Sequence, residues 1–520
     1  MNGFYVTTAI PYVNGAPHLG HALELVQADV LARHRRHRGQ PVRFQTGTDE
    51  NAQKNVRAAR AAGRDVAEFV AANAERFAEL TRGLSLSADD FIRTSSDPRH
   101  ARGVERLWQH TAAAGDLYRR RYTGLYCPDC ERFYAPAELP DSRCPEHGTA
   151  PETVSEENWF FRLSRYAGAV ETAIRSGRVR IVPATRRNEV LAFLRGGVCD
   201  ISVSRPAARS AGWGIPVPGD PGQVVYVWWD ALANYITALD DEATYRRWWV
   251  DSAERVHVIG KGIVCFHAVH WLALLTAVGR PLPTAVFVHE YLTLAGSKIS
   301  KSRGAAVDPL ALVARFGPDA VRWWLVREVN SHADTDFTVP RLVERANREL
   351  ANGLGNLVNR TVSLVHRHRI AIAAEPLRAA AHLGALRAAA ADLPGRIDDA
   401  LHRFDFRAAT DAIWAVVAEG NRAIEREQPW RLAGRPDDAA ARARLDAVSG
   451  ALVHACRVLA AECAPFLPDG ADRLRAQLGH GAQVGQAGPT FARLPVDTGC
   501  AVREAVIGQD HSCACLETCE

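Results

Sequence analysis

The chain almost lacks methionine: Met1 is the only one in 520 residues, so its elongation draws on no internal methionine. It also lacks any run approaching the roughly 20 apolar residues that span a bilayer. Its first residues, MNGFYVTTAIPYVNGAPHLG, hold no basic start, long apolar core or small-residue cleavage site. The expectation is a soluble, cytoplasmic protein with no membrane partner. A charge excess is missing too. Against 63 Lys and Arg stand 59 Asp and Glu, a formal net charge of +4 spread along the chain, which neither demands nor excludes a nucleic-acid partner. Eleven cysteines, an odd number, fit a reducing compartment better than a disulfide framework.

What is present describes a globular protein of several parts. Apolar residues make up 47% of the chain, and 520 residues are too many for one core, so two to four domains are expected. Phe4 to Ile10 alternates and is rich in β-formers. A loop with Pro11, Gly15 and Pro17 follows, then a helix from about Ala22 to Arg38 that stops at Gly39, then the strand PVRFQTG. This is the first unit of a parallel α/β sheet, whose ligands sit at the carboxyl ends of strands. From about 116 to 222 the pattern breaks into cysteines, prolines and short strands, which reads as an insertion. Strand and helix then alternate again through VVYVWWDAL, RVHVIGKG, CFHAVHWLALLTAVG and TAVFVHEYLTL. Beyond about 340, long Ala/Leu/Arg helices read as a bundle, and from about 491 no period is visible.

Three constellations carry chemistry. APHLGHALELVQADV sets His18 and His21 at a helix start, where unpaired N–H groups and the positive end of the macrodipole attract phosphate. GSKISKSRG places Lys298 and Lys301 in a loop of small polar residues after a strand, able to reach a triphosphate; alone it reads first as a solvated basic turn, and the pairing with HLGH overturns that. CPDCERFYAPAELPDSRCPEH supplies Cys127 and Cys130, then Cys144 and His147, two knuckle pairs that together complete the four ligands of a closed, structural zinc site.

HLGH followed by KISKS resembles the paired signature motifs of class I aminoacyl-tRNA synthetases. Within that class the chain is similar to the methionyl-tRNA synthetase family over roughly residues 4 to 470, through stretches such as AIPYVNGAPHLGH, TGTDEN, SEENWFFRLS, YVWWDALANYITAL and EQPW. The resemblance implies that methionine attacks the α-phosphate of ATP, with Mg²⁺, to give methionyl-adenylate. The 3'-terminal ribose of initiator and elongator tRNA(Met) then takes the acyl group. Such a reaction needs positioning and charge stabilisation rather than a covalent nucleophile. His18, Gly20, His21, Lys298, Ser300 and Lys301 would bind ATP, with the two histidines and two lysines acting at the transition state. Ile10, Tyr12, Trp228, Ala231, Leu232, Tyr235, Ile263 and His267 would line the methionine side chain, and Asp49 would meet its ammonium group. A thioether packs well on aromatic edges and accepts only weak hydrogen bonds, which suits such a box. Asn356, Arg360 and Trp430 match the positions that read the anticodon, where stacking and splayed bases are the usual means.

The implied fold class is an α/β Rossmann-like catalytic domain split by a zinc-binding insertion and followed by an all-α anticodon-binding bundle. The expected boundaries are 1–115 and 223–340 for the two catalytic halves, 116–222 for the insertion, 341–490 for the bundle and 491–520 for a disordered, cysteine-containing tail. In that tail His511, Cys513, Cys515 and Cys519 leave metal binding as the alternative, and a monomer is expected. Three positions depart from the family's frequent form. Asn51-Ala52 stands where His-Gly is frequent, Gly262 where an acidic residue often follows Gly-Lys, and Glu290 where Gly is common after FVH. A carboxylate at 290 repels phosphate unless it points away or binds Mg²⁺. Two other readings stand beside this one, an adenylate-forming paralogue, for which the tail and Glu290 are the only hints, and a catalytically silent tRNA-binding protein, against which intact HLGH and KISKS argue.

Overall fold

A computed structural model describes residues 3–128, 132–134, 136–145, 148–294, 296–299, 307–370, 372 and 381–495. The principal strands are Phe4–Thr8 (β1), Val42–Thr48 (β2), Asp90–Arg93 (β3), Leu117–Cys127 (β4), Glu152–Phe161 (β5), Arg180–Val182 (β6), Glu254–Gly260 (β7) and Ala285–His289 (β8). Six of them form one sheet in the order β3-β2-β1-β7-β8-β6, with every neighbouring pair parallel. The order turns back at β1, which lies between β2 and β7, and such a switch point is where parallel sheets open a crevice for ligands. Alternation in the first strand suggests one wet face, yet β1 is buried at all five positions. Its two threonines tolerate this because each is bonded: Thr7 Oγ1 to His257 Nδ1 at 2.7 Å and Thr8 Oγ1 to Thr46 Oγ1 at 2.7 Å.

The insertion is not made only of short strands. β4 and β5 pair antiparallel from Leu117↔Phe161 to Tyr126↔Glu152. The sequence hides this ribbon because much of it faces solvent, so RRRYTG carries no apolar signal.

The chain divides into two compact units, one of residues through Pro17, Arg35–Arg82 and Leu86–Tyr291, the other of His18–His34, Gly83–Ser85 and Leu292 onward. Leu19–His37 (α1) therefore groups with the second unit through His34. Ala184–Arg195 (α2) and Val227–Thr237 (α3) belong to the first. The second also holds Pro318–Arg327 (α4), Asn356–His368 (α5), Gly384–His402 (α6), Phe406–Glu427 (α7), Ala439–Glu462 (α8) and Pro468–Leu478 (α9). The first unit's largest apolar cluster includes Tyr5, Trp108, Phe161, Trp229, Trp249 and Trp271, which accounts for much of the tryptophan content. Side-chain caps start the later helices, Asp405 accepting from Ala408 N and Asp438 from Ala440 and Ala441 N.

In the second unit Arg322 on α4 is fully buried. Its guanidinium donates to the carbonyls of Leu84, Pro465 and Phe466 and pairs with Asp29 of α1 at 2.8 Å. Burial works against this charge and pulls its pKa down, with Asp29 opposing the shift. After α9 the chain runs as a strap: the Asn347 amide donates to Leu494 O at 2.8 Å and accepts from Leu494 N at 2.7 Å, and Phe491 is buried. An extended strap held by an amide has no helical or strand period to read. Residues 496–520, with the expected metal alternative in the tail, lie outside the described residues. Among the described residues no helix is long and apolar enough to cross a membrane.

Candidate functional site

The start of α1 is capped by its own histidines. The N–H of Gly20 donates to His18 Nδ1 at 3.1 Å, and the N–H of His18 donates to His21 Nδ1 at 3.0 Å. This reciprocal arrangement at a three-residue spacing is the logic of a capping box, with imidazoles in place of Ser and Glu. Both Nδ1 atoms must be unprotonated to accept, so each ring carries its proton on Nε2. The rings stack with centroids 3.7 Å apart. A Cβ on Gly20 would stand 3.0 Å from the His18 ring, so the glycine of HLGH makes room for the imidazole. Between the two histidines the Leu19 N–H donates to Val307 O at 3.0 Å. Val307 is the first described residue after the KISKS segment, so the chain leaving that segment is tied to the helix mouth. Lys298 ends a short strand, Ser297–Lys298, paired with Leu292–Leu294, while its side chain, Ser300 and Lys301 lie outside the described residues.

In the first unit the residues expected around methionine pack in several groups. Tyr12 continues β1 and Asp49 continues β2, and the two form a parallel bridge with Asp49 N donating to Pro11 O. Ile10 packs with Ala231, and Tyr12 packs with Trp228, their rings T-shaped at 6.3 Å. Trp228 stacks on Phe266 at 3.8 Å, and its buried Nε1 has no hydrogen-bond partner among the described residues. Leu232 and Tyr235 join the large cluster, with Ile263 against it. His267 is locked from both sides. Its Nδ1 lies 3.0 Å from the Ile263 carbonyl, which can only accept, so Nδ1 carries the proton and Nε2 accepts the Tyr235 hydroxyl at 2.7 Å. Burial pushes its pKa down to about 4, with the Ile263 bond opposing, so it is neutral at ordinary pH. His257 beside it is likewise held well below its usual value by burial. Its Nε2 accepts from Trp271 Nε1 at 3.1 Å.

Sequence reasoning missed the support beneath α3. Asp230, fully buried, accepts from Asn51 Nδ2 at 2.7 Å and is bonded to His100 Nε2, whose Nδ1 lies 2.8 Å from Thr237 Oγ1. The departure at Asn51 is thus a satisfied contact. An aspartate inside the apolar run VWWDAL was the available signal. Glu290 is satisfied as well. It is buried, with Oε1 accepting from Arg186 Nη2 at 2.6 Å and Nε at 3.1 Å, and Oε2 3.0 Å from Lys261 Nζ.

In the insertion Cys127 and Cys144 are buried in one cluster with Tyr134 and Leu139. Cys144 Sγ donates to the Tyr134 hydroxyl at 3.7 Å, and Cys127 Sγ lies 3.9 Å from Thr149 Oγ1. Cys130 and His147 lie outside the described residues, and among the described ones no three metal-ligating groups gather. In the second unit Asn356 and Arg360 stand one turn apart on α5. Trp430, 50% exposed, opens the short helix Pro429–Ala433, which packs on α5 through Leu432 and Ala433.

The family model described as tRNA synthetases class I (M) matches residues 4–146 and 134–362. A methionine–tRNA ligase of Caldanaerobacter subterraneus is 39% identical over 480 residues, 92% of this chain and 74% of its own length. One from Mycobacterium bovis is 38% identical over 487 residues, 92% of each chain. A structure of Mycobacterium tuberculosis methionyl-tRNA synthetase in complex with methionyl-adenylate matches with a TM-score of 0.89 at 36% identity, covering 95% of this chain and 100% of that one.

Proposed function

The chain belongs to the methionyl family of class I tRNA synthetases, and on that premise we propose how its residues divide the work of a methionine–tRNA ligase. The enzyme activates methionine with ATP and passes it to tRNA. The observation that carries the assignment of the phosphate site is the imidazole cap of α1. Because the backbone claims both Nδ1 atoms, His18 and His21 present Nε2–H donors beside the positive end of a helix, with the cost of orienting them met on folding. They would stabilise the charge that builds on the α-phosphate as the methionine carboxylate attacks. Lys298 and Lys301 would add their charges from the KISKS segment, with Gly20 and Ser300 contributing to ATP binding. Loss of one such preorganised donor costs on the order of 10²–10³ in rate. Mg²⁺ would accompany the polyphosphate.

Methionine would lie among Ile10, Tyr12, Trp228, Ala231, Leu232, Tyr235, Ile263 and His267, its ammonium group on Asp49. The neutral His267 supports this reading: a charged ring there would demand an anion, whereas a thioether offers only a soft, weak acceptor. Cys127, Cys130, Cys144 and His147 would hold one structural zinc ion, a reading supported by the burial of Cys127 and Cys144 in a single cluster. With all four positions taken by protein, the ion would staple the insertion. Asn356, Arg360 and the exposed Trp430 would read the anticodon of initiator and elongator tRNA(Met). The catalytic halves, the insertion and the bundle would follow the boundaries 1–115, 223–340, 116–222 and 341–490.

The test is ATP–pyrophosphate exchange with each standard amino acid offered separately, with Mg²⁺. Exchange with methionine alone supports the assignment. Its absence for all amino acids, in folded protein with bulk tRNA added, would overturn it.

A further inference from the structure

Among 63 basic residues the chain keeps only four lysines, Lys54, Lys261, Lys298 and Lys301. A lysine offers a compact ammonium where an arginine offers a broad planar guanidinium, and the two are not interchangeable at a shaped site. Lys298 and Lys301 belong to the KISKS segment. Lys261 directly follows β7, at the carboxyl edge of the parallel sheet, two residues before Ile263 of the methionine pocket.

Glu290 follows β8, the neighbouring strand, and the register Gly260↔His289 brings the two strand ends level. Its buried carboxylate holds Lys261 with one oxygen and Arg186 of α2 with the other. The Lys261 ammonium also lies 4.6 Å over the face of Tyr291 and keeps 22% of its side-chain surface open. Arg186 is in turn paired with Glu189 at 2.8 Å. The carboxylate is thus turned into the protein and neutralised, and the group it leaves at the surface is an ammonium. Gly262, next to the lysine in sequence, brings no carboxylate of its own, and the same lysine receives one from the next strand through Glu290.

We propose that Glu290 is a positioning residue for adenylate formation, holding Lys261 at the carboxyl edge of the sheet so that its ammonium contacts the anionic nucleotide. This rests on the reading of that edge as the site of methionine activation. Glu290 itself touches no substrate.

The test compares wild type with Glu290→Gln, Glu290→Gly, Lys261→Arg and the exchange Gly262→Asp/Glu290→Gly. Each is assayed for ATP affinity by calorimetry and for methionine-dependent exchange with ATP and methionine varied separately. Loss of a charge-assisted contact predicts a fall on the order of 10–100-fold in ATP affinity and in kcat/KM for ATP for Glu290→Gly, while Lys261→Arg, which keeps the charge but replaces the compact ammonium with a planar fork, should lower both in the same direction by less. KM for methionine should stay within about twofold, and Gly262→Asp should recover at least about tenfold of the loss in the Glu290→Gly background. A lowered thermal midpoint with unchanged ATP parameters would make Glu290 structural only and overturn the proposal, as would failure of the exchange variant to recover. Glu290→Gln, which keeps shape and an acceptor for Arg186, guards against simple misfolding. If wild type binds ATP yet shows no exchange, the functional reading fails, while the ATP affinities of the variants still decide the role of Glu290.

Discussion

Substituting Asp29→Asn removes the carboxylate that pairs with the fully buried Arg322 while preserving the shape of the side chain. In the wild type the Arg322 guanidinium meets Asp29 Oδ2 at 2.8 Å and three backbone carbonyls, and Arg33 Nε reaches the same Oδ2 at 2.8 Å. Neither Asp29 nor Arg322 has exposed side-chain surface, so the charge left behind cannot be screened by water. Breaking a buried pair in this way costs about 3–5 kcal/mol. The three carbonyls still solvate the guanidinium, which places the expectation at the lower end, about 3 kcal/mol. For a cooperative unit of about 200 residues this lowers the midpoint by roughly 6–12 °C. Scanning calorimetry of the full chain reads the effect as a downward shift of the transition that carries the helical unit. Arg322→Met should cost at least as much, because it leaves the carbonyls of Leu84, Pro465 and Phe466 without their donor, while Asp29 keeps Arg33. The double substitution should cost less than the two single losses added together, since each single leaves the other charge unpaired. A shift below about 2 °C for Asp29→Asn would refute the claim that this pair ties α1 to α4 and the α8–α9 turn.

Tyr235→Phe keeps the ring packing but leaves His267 Nε2 as a buried acceptor without its donor, so kcat/KM for methionine should fall about tenfold or more in the exchange assay. An unchanged value would remove Tyr235 and His267 from the pocket. The depressed pKa of His267 also sets a pH dependence. Between the unfolded value of about 6.5 and the folded value of about 4, the unfolded chain binds more protons, so stability falls as pH drops through that window, by about 3 kcal/mol in all from this group. His257, depressed in the same direction, adds to the slope. Denaturant titrations at several pH values should give a flatter profile for His267→Gln than for wild type. Trp430→Ala, at a half-exposed position, should change stability by no more than about 0.5 kcal/mol and leave tRNA-independent exchange intact. Its aminoacylation kcat/KM for tRNA should fall by a factor of about 5 to 150, the value of one stacked base, and equal effects on both reactions would argue against an anticodon role.

Local spacing determined a good deal about this protein. A histidine pair three residues apart at a helix start is a statement about one turn of backbone, and α1 carries it as a reciprocal cap. The strands on either side of the insertion and the long helices after 340 were legible for a related reason, since periodicity lives in short windows, whereas the grouping of Tyr12, Trp228, Tyr235 and His267 was implied only by the family resemblance. Partners of charges are another matter. Glu290, read alone, is a carboxylate set against phosphate; only the parallel register of β7 and β8, with α2 beside them, turns it into the holder of Lys261 and Arg186. The same holds for Asp29, whose local partner Arg33 stands one turn on in the same helix but whose buried partner Arg322 comes from α4. Residue type and spacing can state that a buried charge needs an opposite one. Which residue supplies it depends on strand order and helix packing, set by the whole chain's contest between apolar burial and chain entropy, and no short stretch of sequence records the outcome.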